Sequence, residues 1–278
     1  MTDPKDNVAR FFDGDAADYL RHQYGEDLDS FMAVRRETVA RMLGRHCAAL
    51  LVQGCTVVDA GCGPGILIDV LSRYPVHYSG VDIAAGMIDL AHERLAAVAN
   101  PGFSGSLQLG DVEQLSFESG RFDIAASLGV IEYLNGDERL LGELVRVTRP
   151  GGFIVVAVTN EAAYNLWLEG GIDWMRNHKT SSRVVSHVKR AMGRGEFKQR
   201  DFVLRRHDCL QFERYAVSLG LRVIDSAYFY MNLLPYPLNV LCGRGLNKWA
   251  NELHERTSSE RIKRRGEGFV LLLGKPAA

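Results

Sequence analysis

Apolar residues along this chain fall into two kinds of pattern. Short runs recur at intervals: Thr56–Val58, Val76–Asp82, Ser106–Val112, Ile124–Ala126, Phe153–Val158, Leu221–Tyr230 and Gly268–Leu273. The first of them is β-branched and has no polar face, which suits a parallel strand buried on both sides. Between the runs, apolar positions return at helical spacing. Ile66, Leu67, Ile68, Val70 and Leu71 follow the first run. Leu141, Leu144, Val145 and Val147 precede the fifth, and Leu210, Phe212, Tyr215, Val217 and Leu219 precede the sixth. Pro150-Gly151-Gly152 is expected to end the helix before the fifth strand with a turn. Strand and helix alternating in this way predict an α/β fold on an open, largely parallel sheet.

Two helical segments come before the first strand. Phe11, Phe12, Tyr19, Leu20 and Tyr24 lie near helical spacing, interrupted around Gly14, and residues 1–9 are expected to fray. A second helix is expected over Ser30–Cys47, with Phe31, Val34, Val39, Met42 and Leu43 on its apolar stripe and arginines opposite. The chain then divides into a helical segment at 1–50, a core at 54–160, an insertion at 161–206 and a closing part at 207–278 with a second insertion at 231–267. Asn251–Arg265 reads as a polar, basic helix. One large α/β unit with insertions fits the length of 278 residues.

Composition narrows the functional classes. A net charge of −1 gives no whole-protein field for nucleic acid, so charged partners must be read locally. The five cysteines are odd in number and contain no C-x-x-C pair, which points to a reduced, cytoplasmic setting and to no zinc site. Cys62 reads as a small apolar filler. The acidic, polar start is no signal peptide. No window holds the roughly 18 apolar residues of a membrane span. The aromatic-rich 231–249 segment is broken by Pro235 and Pro237, so it suits core, a pocket roof or a peripheral interfacial contact.

The chemistry concentrates after the first run, in Thr56–Leu67, TVVDAGCGPGIL. A buried strand, a glycine turn and a helix are where open α/β sheets bind nucleotides. A dinucleotide fingerprint would need a third glycine or alanine where this chain has Ile66. The glycines are instead Gly61, Gly63 and Gly65, with Asp59 two residues upstream. Asp82 closes the second strand about 20 residues on, where a carboxylate can accept both ribose hydroxyls or cap the next helix.

VVDAGCGPG resembles the first motif of class I S-adenosylmethionine (SAM)-dependent methyltransferases. VDIAAGMIDLA, Gly110-Asp111, FDIAASLGVIEYL and RVTRPGG resemble later family markers in order, and GFVLLL resembles the closing strand. The resemblance covers residues 54–160 and the closing strand. It implies a Rossmann-like seven-stranded sheet with an antiparallel last strand beside the fifth, an N-terminal helical lid, and helical insertions that cap the acceptor. It also implies SAM as cofactor. Asp59, Gly61, Gly63 and Gly65 form the loop; Asp82 takes the ribose; Ile83 and Met87 pack on adenine. Asp111 accepts from the adenine amino group, and the Val112 N–H serves the ring. Ser127 stands at a carboxyl tip, and Tyr19 and Tyr24 are the lid aromatics for the methionine end.

The acceptor side is less determined. Many relatives carry Glu-His where this chain has Glu132-Tyr133, so the histidine's role does not transfer. Glu132 and Tyr133 are weak catalytic candidates, Glu132 reading better as structural. His178, His187 and His207 read as surface residues. The basic stretch 183–206 reads as a solvated helix face or as a site for a phosphate, carboxylate or anionic lipid headgroup. Ser127-Leu128-Gly129-Val130 lacks the Asn-Pro-Pro-Tyr type of motif expected of a nucleic-acid methyltransferase. The expected activity is methyl transfer to a small, bulky or lipophilic acceptor bearing an anionic group, with no metal. The alternatives are a non-catalytic SAM-binding partner subunit and a nicotinamide-dependent oxidoreductase.

Overall fold

The structure, a computed structural model, describes residues 5–13, 30–164, 166, 204–231 and 243–277. A short helix α1 (5–13) opens it. Then follow α2 (Phe31–His46), α3 (Ala48–Gln53), β1 (Cys55–Ala60), α4 (Ile66–Leu71), β2 (Val76–Asp82), α5 (Ala85–Ala96), β3 (Ser104–Leu109) and β4 (Phe122–Leu128). After a 3-10 turn at Ile131–Tyr133 come α6 (Glu138–Val147), β5 (Thr148–Thr159), α7 (Cys209–Ser218), β6 (Arg222–Phe229), α8 (Gly243–Arg256), α9 (Glu260–Lys263) and β7 (Gly268–Gly274).

The seven strands form one sheet in the order β3-β2-β1-β4-β5-β7-β6. The first five are parallel, and β7 lies antiparallel between β5 and β6. The expected seventh strand is thus in place beside the fifth. Alternate side chains of each strand enter opposite cores, as a period of two requires. Val57, Val155, Ala157, Val270 and Leu272 pack under α2, α3 and α4. Val58, Ile154, Val156, Val158, Leu271 and Leu273 pack under α6 and α7. Both faces are therefore buried, which is why these strands read as continuous apolar runs.

Several boundaries differ from expectation, each for a local reason. β1 runs through Asp59 to Ala60, because the buried Tyr78 hydroxyl donates to Asp59 Oδ2 at 2.8 Å and lets the carboxyl stay inside the strand. β3 stops at Leu109, so Gly110-Asp111 lies just beyond it. Pro150-Gly151-Gly152 lies within β5 and makes an irregularity there. Gly151 adopts a φ of +75° and donates its N–H to Lys275 O at 3.0 Å. Beside it, Asp123 accepts from Arg149 Nε at 2.5 Å and from the Thr56 N–H at 2.8 Å, which joins β1, β4 and β5 at their amino ends.

At the amino terminus, residues 5–9 are helical where fraying was expected. Ser30 caps α2 by accepting the Ala33 N–H at 3.1 Å. Arg35 is buried on this helix, although the arginines were expected on its solvent face. The C-terminal helical region starts earlier than 251 and is split into α8 and α9. The insertion at 161–206 lies almost wholly outside the described residues; of the second, at 231–267, residues 232–242 lie outside them and the remainder carries α8 and α9.

Gly152 provides a test of this packing. A Cβ there would come within 2.8 Å of the Asp123 carbonyl oxygen and of Thr148 Cγ2, so Gly152→Ala should cost about 1–3 kcal/mol. Gly142, inside α6, has nothing within 4 Å of its would-be Cβ, so Gly142→Ala should gain about 0.5–1 kcal/mol. Urea unfolding of the two variants should move in opposite directions; equal effects would refute the β5 geometry.

Candidate functional site

The pocket lies at the carboxyl ends of β1, β2 and β4, where the chain leaves the sheet. The turn out of β1 is closed by main-chain bonds to β2. The N–H groups of Gly61 and Cys62 both donate to Val81 O, at 2.7 and 3.0 Å. Gly61 has a φ of +80°, and a Cβ on it would come 2.3 Å from Val130 Cγ2. Gly63 has a φ of +52° and nothing within 4 Å of its would-be Cβ, so it borders open space. Gly65 serves another purpose. It lies against Ile68 and Ala91, which brings α4 close to α5, and it does not line the cavity.

Asp82 joins this loop to the second strand. Its Oδ2 accepts the Gly63 N–H at 2.7 Å and its Oδ1 the Ala84 N–H at 3.0 Å. Burial pushes its proton affinity up, against the pull of these N–H donors. Each oxygen keeps a further lone pair for a ligand. The helix-capping alternative is met in part: Asp82 organises the entry to α5, while Asp13 of α1 accepts the Gly86 N–H at 2.9 Å in that helix's first turn.

Asp59 is the more buried of the two carboxylates. It is 2% exposed, and burial pushes its pKa up to about 7. Its Oδ1 is buried without a hydrogen-bond partner. Arg35, which also borders the cavity, favours the charged form of both Asp59 and Glu132.

Asp111 and Val112 lie on the same wall. Asp111 Oδ1 accepts the Glu113 N–H at 2.9 Å, and its Oδ2 takes the Lys5 ammonium of α1 at 2.5 Å. Lys5 also pairs with Glu113. Ile83 and Met87 complete this end of the pocket, and Phe12 packs on Met87 and edge-on to Tyr133, with ring centroids 5.3 Å apart. The cavity encloses about 1080 Å³ including its mouth, room for a nucleoside-sized ligand with a second molecule at the entrance.

Eight of the twelve expected cofactor residues border this cavity, Asp59, Gly61, Gly63, Asp82, Ile83, Met87, Asp111 and Val112, while Gly65 shapes the loop behind it. Ser127 is placed elsewhere. It is buried and donates to Ala60 O at 2.9 Å, and its neighbours Leu128 and Gly129 form the wall instead. Tyr19 and Tyr24 lie outside the described residues. Sequence reasoning missed Lys5, Val8, Arg35, Arg36 and Val39, and it gave Phe12 no part in the site. A charged residue at position 35, three before a threonine and four before Val39 on one buried face, was the available signal for Arg35.

Behind the wall beyond Gly129 lies a buried polar cluster. Glu132 accepts from Thr159 Oγ1 at 2.9 Å, its Oε2 has no partner, and burial pushes its pKa up. His207 is a buried residue, in contrast to the surface role expected of it. A parallel bridge to Asn160 holds its main chain, and its Nε2 lies 3.0 Å from Asp137 Oδ1. Tyr133 borders the cavity itself. Cys62 is buried with its thiol pushed well above the ordinary range, which makes it inert as a nucleophile. His178 and His187 lie outside the described residues. Among the described residues no group of three or more His, Cys, Asp or Glu would hold a metal, and no helix is long and apolar enough to cross a membrane.

Residues 58–156 match the family model described as a methyltransferase domain. A malonyl-(acyl-carrier protein) O-methyltransferase of Serratia marcescens is 33% identical over 127 residues, 46% of this chain and 46% of that protein. A ubiquinone biosynthesis O-methyltransferase of Chelativorans sp. is 30% identical over 138 residues, 49% of this chain and 53% of that one. The chain thus spans about half the length of the curated relatives it matches. A magnesium protoporphyrin IX methyltransferase of Synechocystis, solved with bound SAH, shares the fold at a TM-score of 0.61 and 17% identity, over 98% of this chain and 100% of that one. Over residues 58–156 the chain is thus similar to methyltransferase domains.

The burial of Asp59 has a consequence for stability. Its pKa is about 7 when folded against an ordinary 3.8, so the folded state holds the proton more tightly. The stability it contributes is full below about pH 4 and lost as pH rises through 7, on the order of 4 kcal/mol in all. Asp59→Asn removes this penalty. In urea unfolding without ligand, the variant should gain on the wild type between about pH 5 and pH 8; a constant difference would refute the burial of a titrating carboxyl here.

Proposed function

We propose that this chain is a class I methyltransferase that uses SAM to methylate a small-molecule acceptor. The observation that carries the reading is the junction of Gly63 and Asp82. There a glycine without a side chain borders the cavity, while a carboxylate held by two N–H groups faces the same space. That pairing suits a ribose whose two hydroxyls need an acceptor and whose sugar must approach the main chain closely.

When bound, SAM supplies a methyl group already made electrophilic by its sulfonium. The protein's part is to hold, orient and exclude water. Asp82 accepts the ribose hydroxyls, and Ile83, Met87 and Phe12 offer apolar surface to the adenine end. Asp111 offers an acceptor to the adenine amino group, which it shares with Lys5. Arg35 and Asp59 present opposite charges to the carboxylate and ammonium of the methionine end. Alignment and desolvation of this kind account for about 7–11 kcal/mol of a barrier in well-oriented systems.

The acceptor approaches from the Gly129–Leu134 side, the wall not used by the nucleoside. Leu128, Val130 and Leu134 make that side apolar, with Tyr133 the polar exception. This favours an acceptor with a large apolar body, and the names of the relatives, which concern malonyl-acyl carrier protein, ubiquinone biosynthesis and magnesium protoporphyrin, are of that bulky kind. The basic stretch 183–206, most of it outside the described residues, is the candidate from sequence for holding an anionic group on the acceptor. Glu132, raised in proton affinity and hydrogen-bonded to Thr159, stands directly behind this wall as the group best placed to receive a hydroxyl proton.

Native mass spectrometry of the chain with added SAM tests the reading, and a complex of one SAM per chain is expected. Asp82→Ala should weaken the complex by about 1–3 kcal/mol, roughly 5- to 150-fold in dissociation constant. A nicotinamide complex with no response to SAM would replace the reading with an oxidoreductase. Undiminished SAM affinity in the variant would remove Asp82 from the site.

A further inference from the structure

We propose that α8 and α9 form a docking surface for an anionic lipid bilayer: Trp249, Leu253 and Ile262 enter the interface, and the basic side chains beside them meet the headgroups. This face lies outside the cavity and is independent of which cofactor fills it.

Helical spacing divides α8 into two faces. Ala250 and His254 lie one turn apart and are buried. His254 Nε2 is 2.8 Å from Lys263 O, which holds α9 against the last turn of α8. Trp249 and Leu253 each come one residue earlier, about 100° round the helix. They are 56% and 47% exposed. Arg256 follows on the same stripe, two turns after Trp249 and also exposed. On α9, Ile262 is 40% exposed. Single apolar residues on a surface are ordinary, but a tryptophan and two aliphatic side chains on two helices joined at His254 mark an interaction site.

Charge selects the partner. Lys248–Arg265 holds six basic residues against three acidic ones, in a chain whose net charge is −1. Two of the three acids are matched already, Glu255 by Arg41 of α2 at 3.4 Å and Glu260 by Lys263 at 3.5 Å. Lys248, Arg256 and Arg261 are all exposed. An apolar stripe among cations is the composition of helices that lie in a bilayer interface, with the apolar groups at the acyl boundary and the cations at anionic headgroups. Arginine and lysine can lay their stems along the apolar layer and keep their charges at the phosphates. A second copy of the chain, paired through the same face, would bring these cations against one another.

The surface also lies at the end of the sheet where the cavity opens. β5 ends at Thr159, and the next residue, Asn160, donates through Nδ2 to the carbonyls of Arg264 and Gly266 at 2.9 and 2.7 Å. From the other side, the Arg41–Glu255 pair ties α8 to α2, the helix that brings Arg35, Arg36 and Val39 to the cavity. A bilayer docked there sits at the carboxyl ends of the strands, which suits an acceptor with a large apolar body.

Co-sedimentation of the full chain with two kinds of vesicle tests this, one of phosphatidylcholine alone and one of equal parts phosphatidylcholine and phosphatidylglycerol. Binding is expected to the anionic vesicles only, and it should weaken as salt is added. Arg256→Ala and Arg261→Ala should each lower the partition constant about fivefold. The pair Trp249→Ser and Leu253→Ser should lower it by about tenfold or more at unchanged charge. Trp249→Phe should bind almost as the wild type does, yet lose the part of the vesicle-induced blue shift in tryptophan fluorescence that reports insertion at this position. No binding to anionic vesicles overturns the proposal. So does binding that the serine pair leaves unchanged, which places the contact elsewhere on the chain. A dimer in sedimentation velocity that the serine pair dissociates assigns the face to a second copy and overturns it as well. Each of these outcomes leaves the cofactor reading intact, and failure to bind SAM with vesicle binding retained removes that reading alone.

Discussion

Everything at this site depends on how the chain leaves β1. Three N–H groups of the glycine loop are claimed by β2: Gly61 and Cys62 by Val81 O, and Gly63 by the Asp82 carboxylate. The loop must therefore lie flat across the end of its neighbouring strand, and side chains at Gly61 or Gly65 would collide with Val130, Ile68 or Ala91. Two results follow from one constraint. The cavity opens where Gly63 leaves no side chain, and Asp82 is held at its edge in a fixed direction. A substitution in the loop would move both together, which ties this edge of the cavity to the packing of α4 on α5.

The sheet supplies only part of the pocket, and the N-terminal helices complete it. α2 brings Arg35 and Val39, and α1 brings Lys5, Val8 and Phe12. α1 is tied at both ends to elements that border the cavity, by Lys5 to Asp111 and Glu113 and by Asp13 to the first turn of α5. Its apolar residue Phe12 fills the space between these ties, against Met87 and Tyr133. Asp111 pairs with Lys5 and also lines the cavity, so the same carboxylate seats the helix and faces the open space.

The fold and the cofactor loop were legible in the sequence because their signals are local. Parallel strands buried on both faces leave unbroken apolar runs, and a turn that excludes Cβ leaves glycines at fixed spacing. What was not legible depends on neighbours distant in sequence. Asp59 reads as the end of a strand until Tyr78, nineteen residues on, is seen to hold it inside β1. Pro150-Gly151-Gly152 reads as a helix-ending turn, yet Thr148 and Phe153 on either side of it pair with β4 and Lys275 bonds to Gly151 and Gly152, which makes it an irregularity within β5. Arg35 reads as solvent-facing because helical spacing identifies a stripe but not what lies against its border. His207 reads as a surface histidine because its partners, Asp137 and Asn160, come from two other elements.

The two ends of the cavity obey different electrostatic rules. At the nucleoside end, polar groups are satisfied: Asp82 by two N–H groups, Asp111 by Lys5 and the Glu113 N–H. Among the described residues three side-chain atoms are buried without partners, Asp59 Oδ1, Glu132 Oε2 and His207 Nδ1. Asp59 lines the cavity, and the other two residues lie behind its Gly129–Leu134 wall. Each such atom costs about 1–3 kcal/mol if nothing pairs with it. Each belongs to a residue whose other polar atom is held, by Tyr78, Thr159 or Asp137, so orientation is fixed while bonding capacity is kept in reserve. A fold selected for stability alone would fill these positions with apolar groups. On the proposed reading these positions flank the methyl's path, where charge vanishes at one end and a proton must leave at the other.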